Sequence, residues 1–357
     1  MIRFFMVGMS TDKGGVEAFI SNLCDNLPEK FEVIYCLPHM KLNGVDWNCP
    51  PNRHNYIRYW KFWTRFFKEN HFDVLYYNTC DIVSIDMLRF AKAAKIPVRI
   101  IHSHNTDNQV KMTAFHRLTE RINRSELHCY ATHLFACSKA AGNWMFGNRR
   151  FTVIKNGISL KKYAFSVASR MSCRAEIKSN AATIIGCVGR LDPQKNPLFA
   201  VEIARQLCLL DSSVHVAFIG DGELRTQVAD AIENAHLTER VHLLGARDDV
   251  NQWYSAFDCL MMPSLFEGLP FVLVEAQAAG LPCVVSTEVS QDANITGLVE
   301  YISLDVSAQD WAKALLQAAK KPRRNVSQQL QDAGYSIENT SKEVSAIIEA
   351  AFGEAVW

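Results

Sequence analysis

Several features that would mark a specialised chain are missing. No sign of charge dominates: 38 Lys and Arg stand against 37 Asp and Glu, a net of +1. There is therefore no global field to hold a polyanion, and nucleic acid is not an expected partner. No apolar run approaches the ~18 residues of a membrane span. The amino-terminal Met1-Ile2-Arg3-Phe4-Phe5-Met6-Val7-Gly8 is short and closed by glycine, so it reads as a first strand and not as a secretion signal. The 11 cysteines include no C-x-x-C pair and stand singly, several inside apolar stretches such as Ile185-Gly186-Cys187-Val188. That spacing offers neither a zinc site nor a disulfide framework and fits small core residues in a reducing compartment. A cytoplasmic protein, at most attached to a membrane surface, is expected. With 17 Gly and 11 Pro, collagen and low-complexity disorder are excluded.

Two nucleotide signatures are missing as well. The Rossmann fingerprint G-x-G-x-x-G is absent from the first turn of either half, which removes most support for a nicotinamide dehydrogenase. The turn Lys13-Gly14-Gly15-Val16 resembles the start of a P-loop, but Glu17 and Ala18 occupy the positions where Lys and Ser or Thr would meet phosphate and magnesium. A carboxylate there repels phosphates, so an NTPase is disfavoured.

What is present is length and alternation. At about 150 residues per domain, 357 residues with 48% hydrophobic content favour two domains. Short β-rich runs alternate with helical patterns, the signature of βαβ units around parallel sheets. One series runs through 2–7, 32–37, 74–77, 98–101, 134–137 and 152–154; a second through 183–188, 214–219, 241–244, 259–262 and 282–286. The fold class is α/β with two Rossmann-like domains facing a cleft. Charged and small residues between Ser159 and Ala182 break the apolar rhythm and place the hinge there. The tail from about Ser336 to Trp357 reads as one more helix, which spacing alone assigns to neither domain.

In parallel sheets ligands bind beyond the carboxyl ends of strands, so the chemistry should lie in the loops that follow them. After the first strand, Gly14 and Gly15 open a helix and expose backbone N–H groups suited to phosphate. After the strand ending at Val188, Gly189-Arg190-Leu191-Asp192-Pro193-Gln194-Lys195-Asn196-Pro197 puts a guanidinium and an ammonium at a sheet edge, with Asn196 as the cap of the next helix. A planar fork and a mobile point charge together suit a diphosphate, although two unrelated solvated cations would look the same. The strongest local signal is Pro263-Ser264-Leu265-Phe266-Glu267-Gly268-Leu269-Pro270, followed by a helix carrying Glu275 and stopped at Gly280. Two carboxylates so placed can accept hydrogen bonds from vicinal hydroxyls of a sugar or ribose; a capping acid and a surface glutamate are the plain alternative.

Taken together, Glu267 and Glu275 with seven residues between them, Gly189-Arg190 to Lys195, Gly220-Asp221-Gly222-Glu223, Leu244-Gly245 and Gly14-Gly15-x-Glu17 resemble a retaining glycosyltransferase of family 4, over nearly the whole chain. The resemblance implies a B-type fold: an acceptor-binding domain at 1–160, joined by a helix at about 336–357 that crosses back to it, and a nucleotide-sugar domain at 161–335. It also implies roles. Gly189, Arg190 and Lys195 would bind the diphosphate with Gly220 and Gly222 beside them. Glu275 would hold the ribose, and Glu267, with Gly268, Leu269 and Pro270, the donor sugar. Gly245, Ala246 and Val250 would flank the base, and Gly14 and Gly15 would close over the phosphates. His102 and His104 resemble the histidine-bearing acceptor loop of the family. No metal or other cofactor is implied, in keeping with the lack of an Asp-x-Asp run in a plausible donor loop. The chain departs from the family pattern at Ser159, where Asp is usual, and after Ser286, where Gly-Gly-x-x-Glu is missing; Ser286 to Gly297 looks more like the exopolysaccharide-assembly branch.

The stretch Arg53 to Lys68 is basic and aromatic at helical spacing. Tyr59, Trp60, Phe62, Trp63, Phe66 and Phe67 could enter a membrane interface with Arg58, Lys61, Arg65 and Lys68 on anionic headgroups, or pack on the first sheet. The expected function is transfer of a hexose or N-acetylhexosamine, from a UDP-linked donor, to a lipid-linked glycan at the inner face of a bacterial-type membrane. A non-catalytic sugar-nucleotide or glycan-binding protein, or a transferase with a soluble acceptor, is the alternative.

Overall fold

The computed structural model describes residues 1–9, 15–48, 50–105, 112–179, 183–267 and 269–355. Gly14 and Gly268 lie outside them. The apolar runs pair into two parallel sheets, each covered by helices, which is why their strands read as nearly continuous hydrophobic segments instead of alternating ones. The chain divides into two units, residues 1–157 with 337–357, and residues 158–336.

In the first unit the strands are β1 (Ile2–Val7), β2 (Phe31–Tyr35), β5 (Val74–Thr79), β6 (Val98–Ser103), β7 (His133–Ala136) and β8 (Thr152–Val153), in the order β2-β1-β5-β6-β7-β8. A separate antiparallel hairpin, β3 (His39–Leu42) and β4 (Val45–Asn48), turns through Asn43 and Gly44, both at positive φ. Asn-Gly is the sequence that such a two-residue turn favours, although Met40 to Trp47 does not stand out as a strand pair in the alternation of the chain. The helices are α1 (Gly15–Asp25), α2 (Tyr56–Glu69), α3 (Asp86–Ala93), α4 (Ala114–Tyr130), α5 (Lys139–Phe146) and, from the far end of the chain, α14 (Ile337–Ala355). Thr340 donates to Lys155 O at 3.2 Å and Ser341 to Asn26 O at 2.6 Å, anchoring α14 in this unit.

The second unit contains β9 (Ile184–Val188), β10 (His215–Ile219), β11 (Val241–Leu243), β12 (Cys259–Met262), β13 (Cys283–Ser286) and β14 (Val299–Ile302), in the order β11-β10-β9-β12-β13-β14. Its helices are α6 (Leu160–Tyr163), α7 (Val167–Glu176), α8 (Pro197–Leu210), α9 (Arg225–Asn234), α10 (Val250–Ala256), α11 (Phe271–Ala278), α12 (Ala308–Ala318) and α13 (Ser327–Asp332). The edge strand β14, Val-Glu-Tyr-Ile, escapes sequence reading because only its first residue is fully buried.

The polar segment after Ser159 is not a bare linker. It forms α6 and α7, and its cations are structural: Arg170 and Arg174 each reach Asp258 at 2.6 Å, and both donate to carbonyls at the carboxyl end of α10. Positive charge at a helix carboxyl terminus is favourable. The polar residues that interrupt the apolar rhythm are therefore a capping network.

Candidate active site

The loops at the carboxyl ends of the second sheet are stitched into one layer by their own backbone. Gly189 N donates to Ile219 O, Leu191 N to Asp221 O, Gly220 N to Gly245 O and Leu265 N to Gln194 O, all within 2.8–3.0 Å. Glu267 N donates to Glu288 O at 3.1 Å and Ser290 N to Glu267 O at 3.0 Å, fixing the backbone that carries Glu267. Gly220 and Gly222 work by close approach: a Cβ at Gly220 would lie 1.9 Å from Gly189 O, and one at Gly222 2.5 Å from Leu191 O. They thus set the height of the Gly189–Asn196 loop.

That loop makes a 3-10 turn (Pro193–Lys195) capped by the Asp192 carboxylate, which accepts from Lys195 N at 3.1 Å. Asn196 is the N-cap residue of α8, as read from sequence, but it stands in left-handed backbone and its side chain makes no cap hydrogen bond. The turn aims the Lys195 ammonium at the Glu267 carboxylate, and the two form an ion pair between loops 72 residues apart. Glu267 is only 8% exposed and Lys195 20%, so this pair is poorly screened. Arg190 is 65% exposed, with Asp192 3.3 Å away, and is free to swing toward an incoming anion. Gly189, Arg190, Lys195, Gly220, Gly222, Gly245 and Glu267 are thereby brought to one sheet end. Leu269 packs on the core beneath, and Pro270 takes the cap position of α11.

Glu275, one turn into α11, is engaged separately. The Tyr254 hydroxyl donates to its Oε2 at 2.7 Å, and Tyr163 stands beside Tyr254 with ring centroids 6.0 Å apart. Burial raises the Glu275 pKa, and these two hydroxyls and Lys162 oppose that rise. Glu275 is not the surface helical glutamate of the plain reading, and neither tyrosine is signalled by any motif. Toward β11, Ala246 is exposed, while Val250 opens α10 against the core. Arg247 is committed to Glu176 and Asp249 at 2.6 and 2.7 Å.

In the first unit, His102 lies near the end of β6 and His104 just beyond it, with ring centroids 4.1 Å apart and both against Phe19. His102 Nδ1 lies 3.0 Å from the Tyr76 hydroxyl, and His104 Nε2 2.9 Å from Asn78 Oδ1. The other ring nitrogen of each is buried without a hydrogen-bond partner among the described residues. Burial drives His102 well below the ordinary histidine range and His104 down to about 3. Both imidazoles are therefore neutral when folded. The unfolded chain binds more protons once the pH falls below the ordinary value near 6.5, so the stability that neutral burial contributes is complete above that pH and is lost below it. At pH 5 the loss should be about 2 kcal/mol per histidine. Urea unfolding at pH 7.5 and 5.0 should show a clearly smaller pH dependence in a His102→Gln/His104→Gln variant; equal dependence would refute the assignment.

The aromatic helix needs a correction. Trp63, Phe66 and Phe67 of α2 are buried against Phe5 and Phe72, with Tyr59 and Phe62 packed on the same cluster, so these side chains cannot enter a bilayer. Tyr56, Ile57 and Trp60 remain exposed. A second outward face, unmarked by any motif, lies on α4: Phe115, Leu118 and Ile122 are 70%, 56% and 44% exposed, with Arg117 and Arg121 beside them. Arg89 of α3 reaches Asn123 and Glu126 of α4, and Trp60 packs 4.4 Å from Phe90 of α3, so the three helices are neighbours. No helix among the described residues is long and apolar enough to cross a membrane.

Two parallel six-stranded sheets, one ending in a layer of loops with a Lys–Glu pair, are the build of a B-type glycosyltransferase fold. The crystal structure of Anabaena HepE in complex with UDP-glucose shares that fold with a TM-score of 0.74 over 98% of this chain and 100% of that one, at 16% identity. Residues 13–162 match the family described as Glycosyltransferase Family 4, and residues 182–321 the one described as Glycosyl transferases group 1. The chain belongs to glycosyltransferase family 4. EpsF of Bacillus subtilis (strain 168), which carries a glycosyltransferase name, is 34% identical over 69% of this chain and 66% of its own length. The UDP-Gal:alpha-D-GlcNAc-diphosphoundecaprenol alpha-1,3-galactosyltransferase of Escherichia coli is 38% identical over 38% of this chain and 36% of its own.

Proposed function

We propose that the protein is a retaining, metal-independent glycosyltransferase of surface-polysaccharide synthesis, moving a hexose or N-acetylhexosamine from a UDP-sugar onto a lipid-linked glycan. The observation that carries this reading is the Lys195–Glu267 pair in the loop layer of the second unit, in a chain of this family. An incoming diphosphate competes with Glu267 for Lys195 and recruits the exposed Arg190. Glu267, released from the ammonium, accepts hydrogen bonds from hydroxyls of the donor sugar, and Glu275 accepts them from the ribose. As the bond between the anomeric carbon and the diphosphate oxygen breaks, the two cations stabilise the charge on the leaving group. The acceptor hydroxyl adds on the same face and gives its proton to that diphosphate. Catalysis is then positioning and fixed charge, with no protein nucleophile. His102 and His104 are neutral and serve the acceptor-binding unit as hydrogen-bonding groups. The UDP and UDP-glucose complexes of HepE, and the diphosphoundecaprenol-linked substrate in the name of the Escherichia coli relative, support the donor and acceptor classes.

A diphosphate-lipid acceptor resides at a membrane, and the outward faces of α4 and α2 fit an anionic bilayer. They combine exposed apolar side chains with Arg117, Arg121, Lys61 and Lys68. A protein so held works at the inner face of the cell membrane. Because each cation contributes ~1 kcal/mol at an anionic surface, Arg117→Glu/Arg121→Glu should strongly reduce co-sedimentation with phosphatidylglycerol vesicles while melting stays unchanged. Lys61→Glu/Lys68→Glu should act in the same direction. Wild-type protein that ignores such vesicles at low salt would end the membrane reading.

The function is tested by incubating the protein with UDP-sugars and a polyprenyl-diphosphate oligosaccharide and following the product by mass and anomeric configuration. Saturable UDP binding without product would indicate a sugar-nucleotide-binding protein, and product only with free sugars a soluble acceptor. EDTA should leave turnover within about twofold; a complete loss that magnesium or manganese restores would overturn metal independence.

A further inference from the structure

Three helices of the second unit converge on Glu275. It is carried by α11, Tyr254 comes from α10, and α6 ends in Tyr163. Tyr254 is fully buried, and its hydroxyl donates to Glu275 Oε2 at 2.7 Å. The Tyr163 ring lies beside that of Tyr254, 6.0 Å between centroids, close enough for its hydroxyl to favour the ionised carboxylate. Asn251 of α10 donates to Lys162 O at 3.3 Å, tying the end of α6 to α10. A lone glutamate in the middle of a mostly apolar helix, Phe-Val-Leu-Val-Glu-Ala-Gln-Ala, would ordinarily be placed by solvent; here a buried hydroxyl holds its carboxylate.

The chemistry of the three groups is asymmetric. A carboxylate is an acceptor with about four lone-pair sites. The Tyr254 hydroxyl occupies one of them, and as donors it and the neighbouring Tyr163 hydroxyl favour the ionised form. The remaining sites face a ligand as acceptors only, which matches two vicinal hydroxyls and mismatches a phosphate or a carbonyl. We propose that Tyr254 and Tyr163 are positioning residues for the donor, fixing the Glu275 carboxylate so that its remaining lone pairs meet the two ribose hydroxyls of the nucleotide. This rests on the reading of Glu275 as the ribose acceptor. The groups facing Glu275 are Tyr254 from α10 and Tyr163 and Lys162 from α6; burial raises its pKa against all three. Loss of a hydroxyl therefore moves the carboxylate further toward protonation, the form that no longer accepts fully.

The test is UDP binding by calorimetry, with donor KM and kcat, for Tyr254→Phe, Tyr163→Phe, Glu275→Gln and Tyr254→Phe/Glu275→Gln. Removing one hydrogen bond to a charged group should weaken UDP on the order of tenfold. Donor KM should rise by a similar factor with kcat nearly constant, the mark of binding shared by ground and transition states. The acid limb of UDP affinity should move to higher pH, and the double variant should bind no more weakly than Glu275→Gln alone. 2′,3′-Dideoxy-UDP should bind wild type and variants alike. If Glu275→Gln weakens UDP but both Tyr→Phe variants bind as wild type, or the double variant shows additive losses, the positioning role is overturned and the ribose reading stands. If Glu275→Gln binds UDP as wild type does, the ribose reading itself fails. Tyr163 is only half-buried, so its variant decides the matter should Tyr254→Phe not fold.

Discussion

Lys195→Ala is expected to lower turnover by on the order of 10² or more, the scale of losing one charge donor to a transition state. The ammonium comes from a 3-10 turn whose backbone the Asp192 carboxylate fixes, so its position is set before any ligand arrives. Removing it has a second consequence. Glu267, 8% exposed, is left without its cation, and an uncompensated buried charge destabilises a protein more than the intact pair stabilises it. The two effects separate in a double variant: Lys195→Ala/Glu267→Gln should regain most of the melting temperature lost by Lys195→Ala and none of the turnover. Arg190→Ala should slow turnover with little change in stability, because that guanidinium is mostly solvated. Unchanged turnover in both single cation variants would remove the diphosphate assignment.

Gly220→Ala should reduce turnover by roughly 10²-fold without touching a substrate-binding side chain, since misplacing reacting groups by about an ångström has that effect. Gly220 has φ +144, and a Cβ there would lie 1.9 Å from Gly189 O. Neither atom is the end of a flexible side chain, so the backbone must give. The loop that moves is the one carrying Arg190 and Lys195. A lower melting temperature should accompany the loss, and UDP affinity should fall as well. Wild-type UDP affinity in a folded Gly220→Ala protein would show that the height of this loop does not set the phosphate site.

The parallel-sheet architecture was legible because its cause is local. A strand covered on both faces must be apolar almost throughout, and runs such as Ile184 to Val188 and Cys259 to Met262 carry that requirement within a few residues. The loops that hold Arg190, Lys195 and Glu267 were equally legible, since each directly follows such a run. Other features depend on which surfaces meet. The aromatics of α2 satisfy a membrane stripe and a core stripe equally well, and only the presence of Phe5 and Phe72 beneath the helix puts Trp63, Phe66 and Phe67 inside. On α4, Phe115, Leu118 and Ile122 have helical spacing too, yet no element among the described residues covers them. Lys195 meets Glu267 across 72 residues, and Tyr254 and Tyr163 meet Glu275 because α6, α10 and α11 converge. Periodicity fixes which residues share a face of one element. What that face touches is decided by the neighbouring elements, and with it the partners of every charge in the site.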